Sequence, residues 1–453
     1  MENDVYDLCV VGAGMIGSAV AKYASEWGRV CLVGPEEPEE RDVNCKRDIF
    51  GCHYDEGRIA RCLAHDPIWT QLARISMSRY RQIESDSGIG FYDEVGSLVA
   101  GGKDTKYMMD NEKVSKEQQL EIEILSYETL KTKFPLLNFS DIDHGIYEVK
   151  AGHISARNLV SAQIKLAKSK GCACIHEIVE NVTQMEKDGN SNMCVLTESG
   201  KQVLTRKVLL ATGAFTAFRN LLPVDHELDV GLCPLTTAMI EVTADDFTNM
   251  RKYPTLIYFG KGADNWKKDY PRSKDGEYSW YMLPPIKYPD DKTSSGWYQT
   301  AAVLTQFDSA RQTRGFDIPI NPWHGKYYIK LGHLQHATTK RFTSSCEVKE
   351  WYCSGGDTKL VNDTVDLFKS VVQDVNPISY HGDSCVITTT PTKRLYIDTL
   401  HHQLGVAVGG NAYAAKSSDE IGRIAAVMMM KNEWDSSLEK TDFNLKMKEK
   451  PSN

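Results

Sequence analysis

The sequence predicts an α/β chain in which a Rossmann-like domain is interleaved with an α+β domain built on a mainly antiparallel sheet. Three features carry this expectation: a strand, glycine turn, helix, strand unit at the amino end; two later apolar strands that each close on a glycine turn; and a Trp-, Tyr- and Pro-rich stretch between them. A length of 453 residues suits two domains and a substantial core. With 41% hydrophobic and 25% charged residues the balance is that of a globular protein. A formal charge of −8, with no basic stripe, argues against a nucleic-acid partner.

The amino-terminal unit is the most informative. Tyr6 to Val11 is a short β-rich apolar run that meets Gly12-Ala13-Gly14-Met15-Ile16-Gly17, followed by a helical pattern from Ser18 to Trp27 and a second strand from Arg29 to Val33. That context lifts G-x-G-x-x-G above chance. Gly12 permits the tight turn, Gly14 lets a pyrophosphate approach the backbone, and Gly17 packs helix against sheet; the helix amino terminus then offers N–H groups and positive dipole to phosphates. One feature departs from the pattern, because the strand runs into Val33-Gly34-Pro35-Glu36-Glu37 with no acid at its end for the ribose hydroxyls. Glu36 either substitutes from slightly further along or stands with Glu37 in a solvated acidic loop. No arginine follows the strand, so a 2′-phosphate gains nothing.

Downstream, Ser155 to Lys170 has helical spacing and ends at Gly171, a good C-cap, before a strand from Ala173 to Ile178. A hairpin is expected around Asp188-Gly189-Asn190, and Lys207 to Ala214 reads as a buried strand ending in a glycine turn. The stretch from Pro223 to Pro377 has alternating strands at Tyr278 to Leu283 and Tyr327 to Leu331, the pattern of a sheet-based substrate lobe. Leu404 to Gly410 is a final strand and turn, leading to a helix from about Ser417 to Met430. The first domain therefore comprises 1–84, 148–222 and 378–435, the second 85–147 and 223–377, and 436–453 is expected to be a loosely ordered tail.

The twelve cysteines are scattered, and the single C-x-C, Cys172 and Cys174, lacks ligand-spaced histidines, so no metal site is expected. Asp4 and Asp7 flank the start of the first strand in place of a signal peptide, no apolar run approaches the roughly 20 residues that span a bilayer, and the end, Lys-Pro-Ser-Asn, is not a peroxisomal address. Reduced thiols, unused sequons at Asn138, Asn181 and Asn362, and a cytoplasmic monomer are the expectation.

Four separated signatures occur in the order used by the monomeric sarcosine oxidase family of flavoproteins, within the D-amino-acid-oxidase-like fold, and the chain resembles that family over most of its length. Beside the glycine motif these are His53-Tyr54-Asp55-Glu56-Gly57-Arg58-Ile59-Ala60-Arg61, Tyr327-Tyr328-Ile329-Lys330-Leu331-Gly332, Ser384-Cys385-Val386-Ile387-Thr388-Thr389-Thr390-Pro391, and Gly409-Gly410-Asn411-Ala412-Tyr413-Ala414-Ala415-Lys416. The resemblance implies a glutathione-reductase-type domain holding FAD through Gly12, Gly14, Met15, Ile16, Gly17, Val179, Thr212, Gly213, Gly409 and Gly410. It also implies that Arg58 lies against the flavin ring and that Arg61 pairs with a substrate carboxylate, a task its planar fork suits. Lys330 resembles the family's oxygen-activating lysine, a fixed cation that stabilises superoxide in a dry site. Cys385 resembles the cysteine bonded to the flavin 8α-methyl group, which reacts as thiolate and is helped by a nearby cation. Lys416 matches the lysine that contacts the substrate carboxylate.

Read from their residues alone, each of these keeps an ordinary alternative: two arginines on a solvated face, a lysine on an edge strand, a buried structural thiol. Two departures bear on substrate. His333-Leu334 stands where the family has an aromatic residue and then a histidine, and Tyr413 stands in place of a histidine. Trp280 and Tyr281 either shape the pocket or fill a core. The mechanism implied is anchoring of a carboxylate by Arg61 and Lys416, hydride transfer from the C–H beside nitrogen to flavin N5, imine hydrolysis, and reduction of O2 to hydrogen peroxide. Other classes remain open: a dehydrogenase using another acceptor, a silent flavin-binding scaffold, and, least well matched, a nicotinamide enzyme. The substrate is expected to be a small secondary amine or N-substituted amino acid.

Overall fold

A computed structural model of the chain describes residues 5–449 apart from 39, 40, 42, 141, 188, 189, 224, 225, 261–277, 290–303, 307–314, 317–324 and 334–341. Asp188 and Gly189 of the expected hairpin tip, and Leu334, lie outside the described residues.

The first strand, Tyr6–Val11, sits between Gln202–Leu210 and Val30–Val33, parallel to both. Leu404–Val408 and Ala173–Ile175 extend this parallel set on its two sides. These strands read as continuous apolar runs because helices cover one face and a second apolar layer the other, so both faces are dry. The hairpin Val179–Lys187 and Asn190–Thr197 adds an antiparallel flank. The opening helix, Met15–Ala24, starts earlier than its apolar pattern suggested, directly out of Gly14, and stops at Ser25. It crosses the closing helix, Ala414–Lys431, closely: a Cβ at Gly422 would lie 2.3 Å from that of Ala19. The small residues let the backbones meet there. Each fully buried Leu, Ile or Met between these layers contributes about 1.5–3 kcal/mol.

Among the described residues the second sheet has ten strands and is antiparallel except where Thr255–Gly260 runs parallel to Ser97–Gly101. Its centre is Gly231–Val242, flanked by Tyr327–His333 and Ser379–Thr389. The last of these corrects a boundary. Residues 378–389 were expected in the first domain, yet eleven consecutive residues of Ser379–Thr389 pair with Gly231–Val242. The chain therefore returns to the parallel sheet only after Thr389. The strand's alternating burial matches a sheet with one face on the core, which is why its pattern did not read as a parallel strand.

The tail is also corrected. Residues 435–449 fold back on the parallel domain, where Phe443 is fully buried against the closing helix's cluster and Met447 bridges to Leu228. Its mixed charges face solvent while Leu438 and Phe443 supply the anchor. No helix among the described residues is long and apolar enough to cross a membrane.

Candidate active site

A cavity of about 580 Å³ runs from the glycine turn of the parallel domain to the face of the second sheet. At the first end its wall is Gly12 to Ile16, Gly34, Pro35, Val179, Thr212 and Gly213. Backbone geometry explains the glycines. Gly12 has φ of +109°, and a Cβ there would lie 2.4 Å from the carbonyl oxygen of Ala211. A Cβ at Gly17 would lie 1.8 Å from the carbonyl oxygen of Gly12, so Gly17 sits behind the wall as the packing contact between helix and turn. A Cβ at Gly14 would meet nothing closer than His53 Nδ1 at 3.8 Å, so its missing side chain opens space. No side chain caps the opening helix, whose first-turn N–H groups are left for a ligand. These features fit the pyrophosphate of a dinucleotide.

The ribose position differs from expectation. Glu36 is not on the cavity wall; its side chain is 70% exposed and lies 3.4 Å from His176 Nε2. Glu37 is turned away as well, held by both arms of Arg157 at 2.7 and 2.8 Å. Glu177 and Arg47 line this part of the wall instead.

The other end brings together Arg58, Arg61, Tyr281, Cys385, Gly409, Gly410, Tyr413 and Lys416. Four segments remote in the chain therefore converge, three of them carrying quoted signatures and the fourth supplying Tyr281. Gly409 has φ of +92°, a turn that presents backbone to the cavity. Arg58 Nη2 lies 3.8 Å from Cys385 Sγ, the cation expected beside that sulfur. A second thiol, Cys52, shares this wall and bonds the carbonyl of Val386 at 3.2 Å and the Tyr352 hydroxyl at 2.7 Å. Its hydrogen bond with Cys385 pulls the Cys52 thiol down to about 6 and pushes Cys385 up. Sequence reading missed Cys52, which belongs to no motif.

Tyr281 lies across Gly332 of the facing strand, where a Cβ would come within 2.6 Å of its hydroxyl. The glycine of the Lys330 signature is thus the seat of Tyr281. Trp280, by contrast, is a core residue, fully buried and stacked on Tyr258 at 4.6 Å. Alternation along the strand puts the two rings on opposite faces, which settles their open alternative. Tyr413 stacks on Trp69 at 5.2 Å, and Tyr107 stacks on Phe259 at 3.7 Å; with His65 and Ile257 they form an apolar, aromatic chamber. His333 also reaches the wall, where burial pushes it down to about 4, so its imidazole is neutral, and its Nε2 lies 2.7 Å from the Thr364 hydroxyl.

The charged groups are arranged in two ways. Arg61 is 3% exposed, bonding the carbonyl of Leu63 and, at 3.1 Å, the Tyr107 hydroxyl. The carbonyl of Lys416 accepts from the Tyr80 hydroxyl at 2.6 Å, but its ammonium makes no hydrogen bond or ion pair among the described residues and lies 5.4 Å from the centre of the Tyr413 ring; burial followed by repulsion from Arg61 pushes it down to about 7. Lys330, on the other side, does not line the cavity. Its ammonium is bonded to Asp55, which also takes Arg58. Asp55 was missed although it lies inside a quoted signature; a lone acid in a loop carries no signal of its own.

No group of histidine, cysteine or acidic residues among the described residues could hold a metal ion. All twelve cysteines are free.

Comparison with known proteins places the fold and the family. N-methyl-L-tryptophan oxidase of Yersinia pestis (strain Pestoides F) is 23% identical over 220 residues, 48% of this chain. The chain spans about half the length of the curated relatives it matches, 56% in that case. Among solved structures, the open form of NikD, described as an unusual amino acid oxidase essential for nikkomycin biosynthesis, is 17% identical with a TM-score of 0.65 over 100% of both chains. Glycine oxidase from Geobacillus kaustophilus is 15% identical with a TM-score of 0.64, over 98% of this chain and 99% of that one. At such identities these structures show the shared fold. The FAD dependent oxidoreductase family matches residues 7–279, more than half of the sequence, and the chain belongs to that family.

Proposed function

We propose that the chain oxidises the C–N bond of a small secondary amine or N-substituted amino acid, with FAD linked through Cys385 and O2 as electron acceptor. The observation that carries this reading is the aromatic chamber with two cations, Arg61 and Lys416, at one end and Arg58 and Cys385 on the adjoining wall. The relatives named for amino-acid oxidation support the substrate class.

FAD, when bound, supplies the hydride acceptor and the route for electrons to oxygen. The residues do the rest. The glycine turn and helix terminus hold the pyrophosphate, with Val179, Thr212 and Gly213 beside them, and Gly409 and Gly410 let the backbone approach the ring. Arg61, braced by Tyr107, and Lys416 bind the carboxylate and fix the reacting C–H. The same cations favour the neutral amine, the form that can release hydride, by repelling its ammonium form. Tyr281, Tyr413, Phe259 and Ile257 exclude bulk water. Lys330 supplies the fixed positive charge for the oxygen reaction, which yields hydrogen peroxide. Every group named lies in one chain, so a monomer suffices, and twelve unpaired cysteines support the cytoplasm.

A dehydrogenase passing electrons to another acceptor is favoured by one observation, the withdrawal of Lys330 behind the wall. The test is to denature purified protein in acid, ask whether the yellow chromophore stays with the polypeptide, and screen N-alkyl amino acids for peroxide. Retained colour and peroxide release are expected. Reduction by substrate with no peroxide, but turnover with an artificial acceptor, would select the dehydrogenase.

A further inference from the structure

Behind the cavity wall one carboxylate, Asp55, meets two cations, Lys330 and the wall residue Arg58. Lys330 and Asp55 are 2% and 4% exposed, and Asp55 Oδ2 accepts from both Lys330 Nζ and Arg58 Nη1. Its other oxygen takes only neutral donors, the backbone N–H of Gly57 at 3.2 Å and the Tyr288 hydroxyl at 3.3 Å. All its contacts are thus to donors, and the carboxylate is aimed by the short turn that leads into the strand Arg58–Ala60.

We infer that Asp55 is a positioning residue that keeps the Lys330 ammonium charged and fixed, through which it governs the oxygen reaction. The functional half of this inference rests on the reading of Lys330 given above. The surroundings of Lys330 make the need plain. On the neighbouring strands it is opposite Met239 and Leu283, both fully or nearly fully buried, which offer no charge. The charged or titratable groups that face it are Asp55, Arg58, Cys385 and, further off, Asp383, which is itself paired with Arg41 at 3.2 Å. Burial and then Arg58 push the ammonium toward its neutral form, and Asp55 is the nearest opposing charge. Burial also acts against the carboxylate, yet Arg58 and Lys330 outweigh it and hold Asp55 well below the usual carboxylate range. An ammonium left in such a site without its partner sheds its proton rather than stay charged. A neutral lysine gives no electrostatic help to a developing anion.

The inference is tested by following the Cε resonance of Lys330 in ¹³C-lysine-labelled holoenzyme, assigned by its loss in Lys330→Met. In Asp55→Asn the titration midpoint of Lys330 is expected to fall by about two pH units, and in Asp55→Glu to stay near the parent value. Flavin reoxidation in Asp55→Asn is expected to be lost as pH rises, at lower pH than in the parent. Asp55→Asn/Lys330→Arg, whose guanidinium keeps its proton without help, is expected to restore a flat profile. A merely structural role would move none of these pH dependences. An unchanged midpoint in Asp55→Asn overturns the inference, whatever the oxygen kinetics. A fallen midpoint together with normal reoxidation in Lys330→Met leaves Asp55 as the keeper of the charge and sinks the oxygen role instead. Should Asp55→Asn prove too unstable to study, Asp55→Asn/Lys330→Met is expected to regain part of the lost thermal stability, because one stranded cation is gone. No recovery would count against the pairing.

Discussion

Two buried lysines flank the same cavity and are held in opposite ways. Lys330 is closed off from it and satisfied by Asp55, whereas Lys416 faces it and has no acidic partner among the described residues. The corner around Lys330 carries its own counter-charge and needs no ligand to exist. The corner around Lys416 places two cations together with Glu148 as the carboxylate acting on Lys416 among the described residues, and on the proposed function it is the corner that takes an anion from outside. On the proposed function, the contrast separates a charge kept for a reaction from a charge kept for binding.

That contrast can be broken or sharpened experimentally. The largest effect concerns the wall between the two corners. Replacing Cys385 by Ala is expected to change the fraction of flavin retained after acid denaturation from nearly all to none while the fold survives, since the thiol fills a half-buried position that a smaller side chain tolerates. Retention of colour in the variant would move the attachment to Cys52, the thiol beside it.

Next come the lysines themselves. Lys330→Met is expected to slow flavin reoxidation about 10²- to 10³-fold in stopped flow while substrate reduction changes little. Equal slowing of both half-reactions would erase the distinction between the corners. Lys416→Met is expected to do the reverse, lowering kcat/KM for carboxylate-bearing substrates about 10²-fold and sparing reoxidation.

A smaller effect is the pH dependence of anion binding. Burial and Arg61 push Lys416 down to about 7, so its ammonium form is expected to become complete as pH falls below that value and to be lost as pH rises above it. An amine-free carboxylic acid, monitored by perturbation of the flavin spectrum, is therefore expected to bind best below pH 7 and to weaken by up to about tenfold per pH unit above it. Lys416→Met abolishes this slope. A profile that tightens as pH rises would show that Lys416 is not the anion's partner.

Smallest, and confined to the dinucleotide end, is a pair of glycine substitutions. Gly17→Ala is expected to destabilise the fold by about 1–3 kcal/mol, because its Cβ meets the Gly12 carbonyl. Gly14→Ala is expected to leave the melting temperature of flavin-free protein unchanged while weakening FAD binding. Equal loss of stability in both would remove Gly14 from the binding surface.

The two ends of the cavity were not equally legible in the sequence. At the dinucleotide end the glycine turn is backbone from one continuous stretch, so Gly12, Gly14 and Gly17 declare both the turn and its purpose. The reaction end is assembled from side chains on segments hundreds of residues apart, and local pattern gives Arg58, Lys330 or Cys385 no meaning in isolation. Only resemblance placed them together. Even then it missed Asp55 and Cys52, whose roles come from neighbours brought in by folding, while the local pattern offered Glu36 for a wall position that its exposed side chain does not occupy. The strand Ser379–Thr389 was put in the wrong sheet for a similar reason, because strand pairing is a long-range property. The tail was misjudged because a single buried ring, Phe443, outweighs a run of surface charges.

The central claim is that an amine bound at the Arg61 and Lys416 corner reduces a flavin lying along this cavity. The most direct measurement mixes the purified yellow protein anaerobically with N-methyl and other N-substituted amino acids while recording the visible spectrum. The account expects the flavin absorbance to bleach with at least one of them and to return when oxygen is admitted. A flavin spectrum that none of these compounds alters would contradict it.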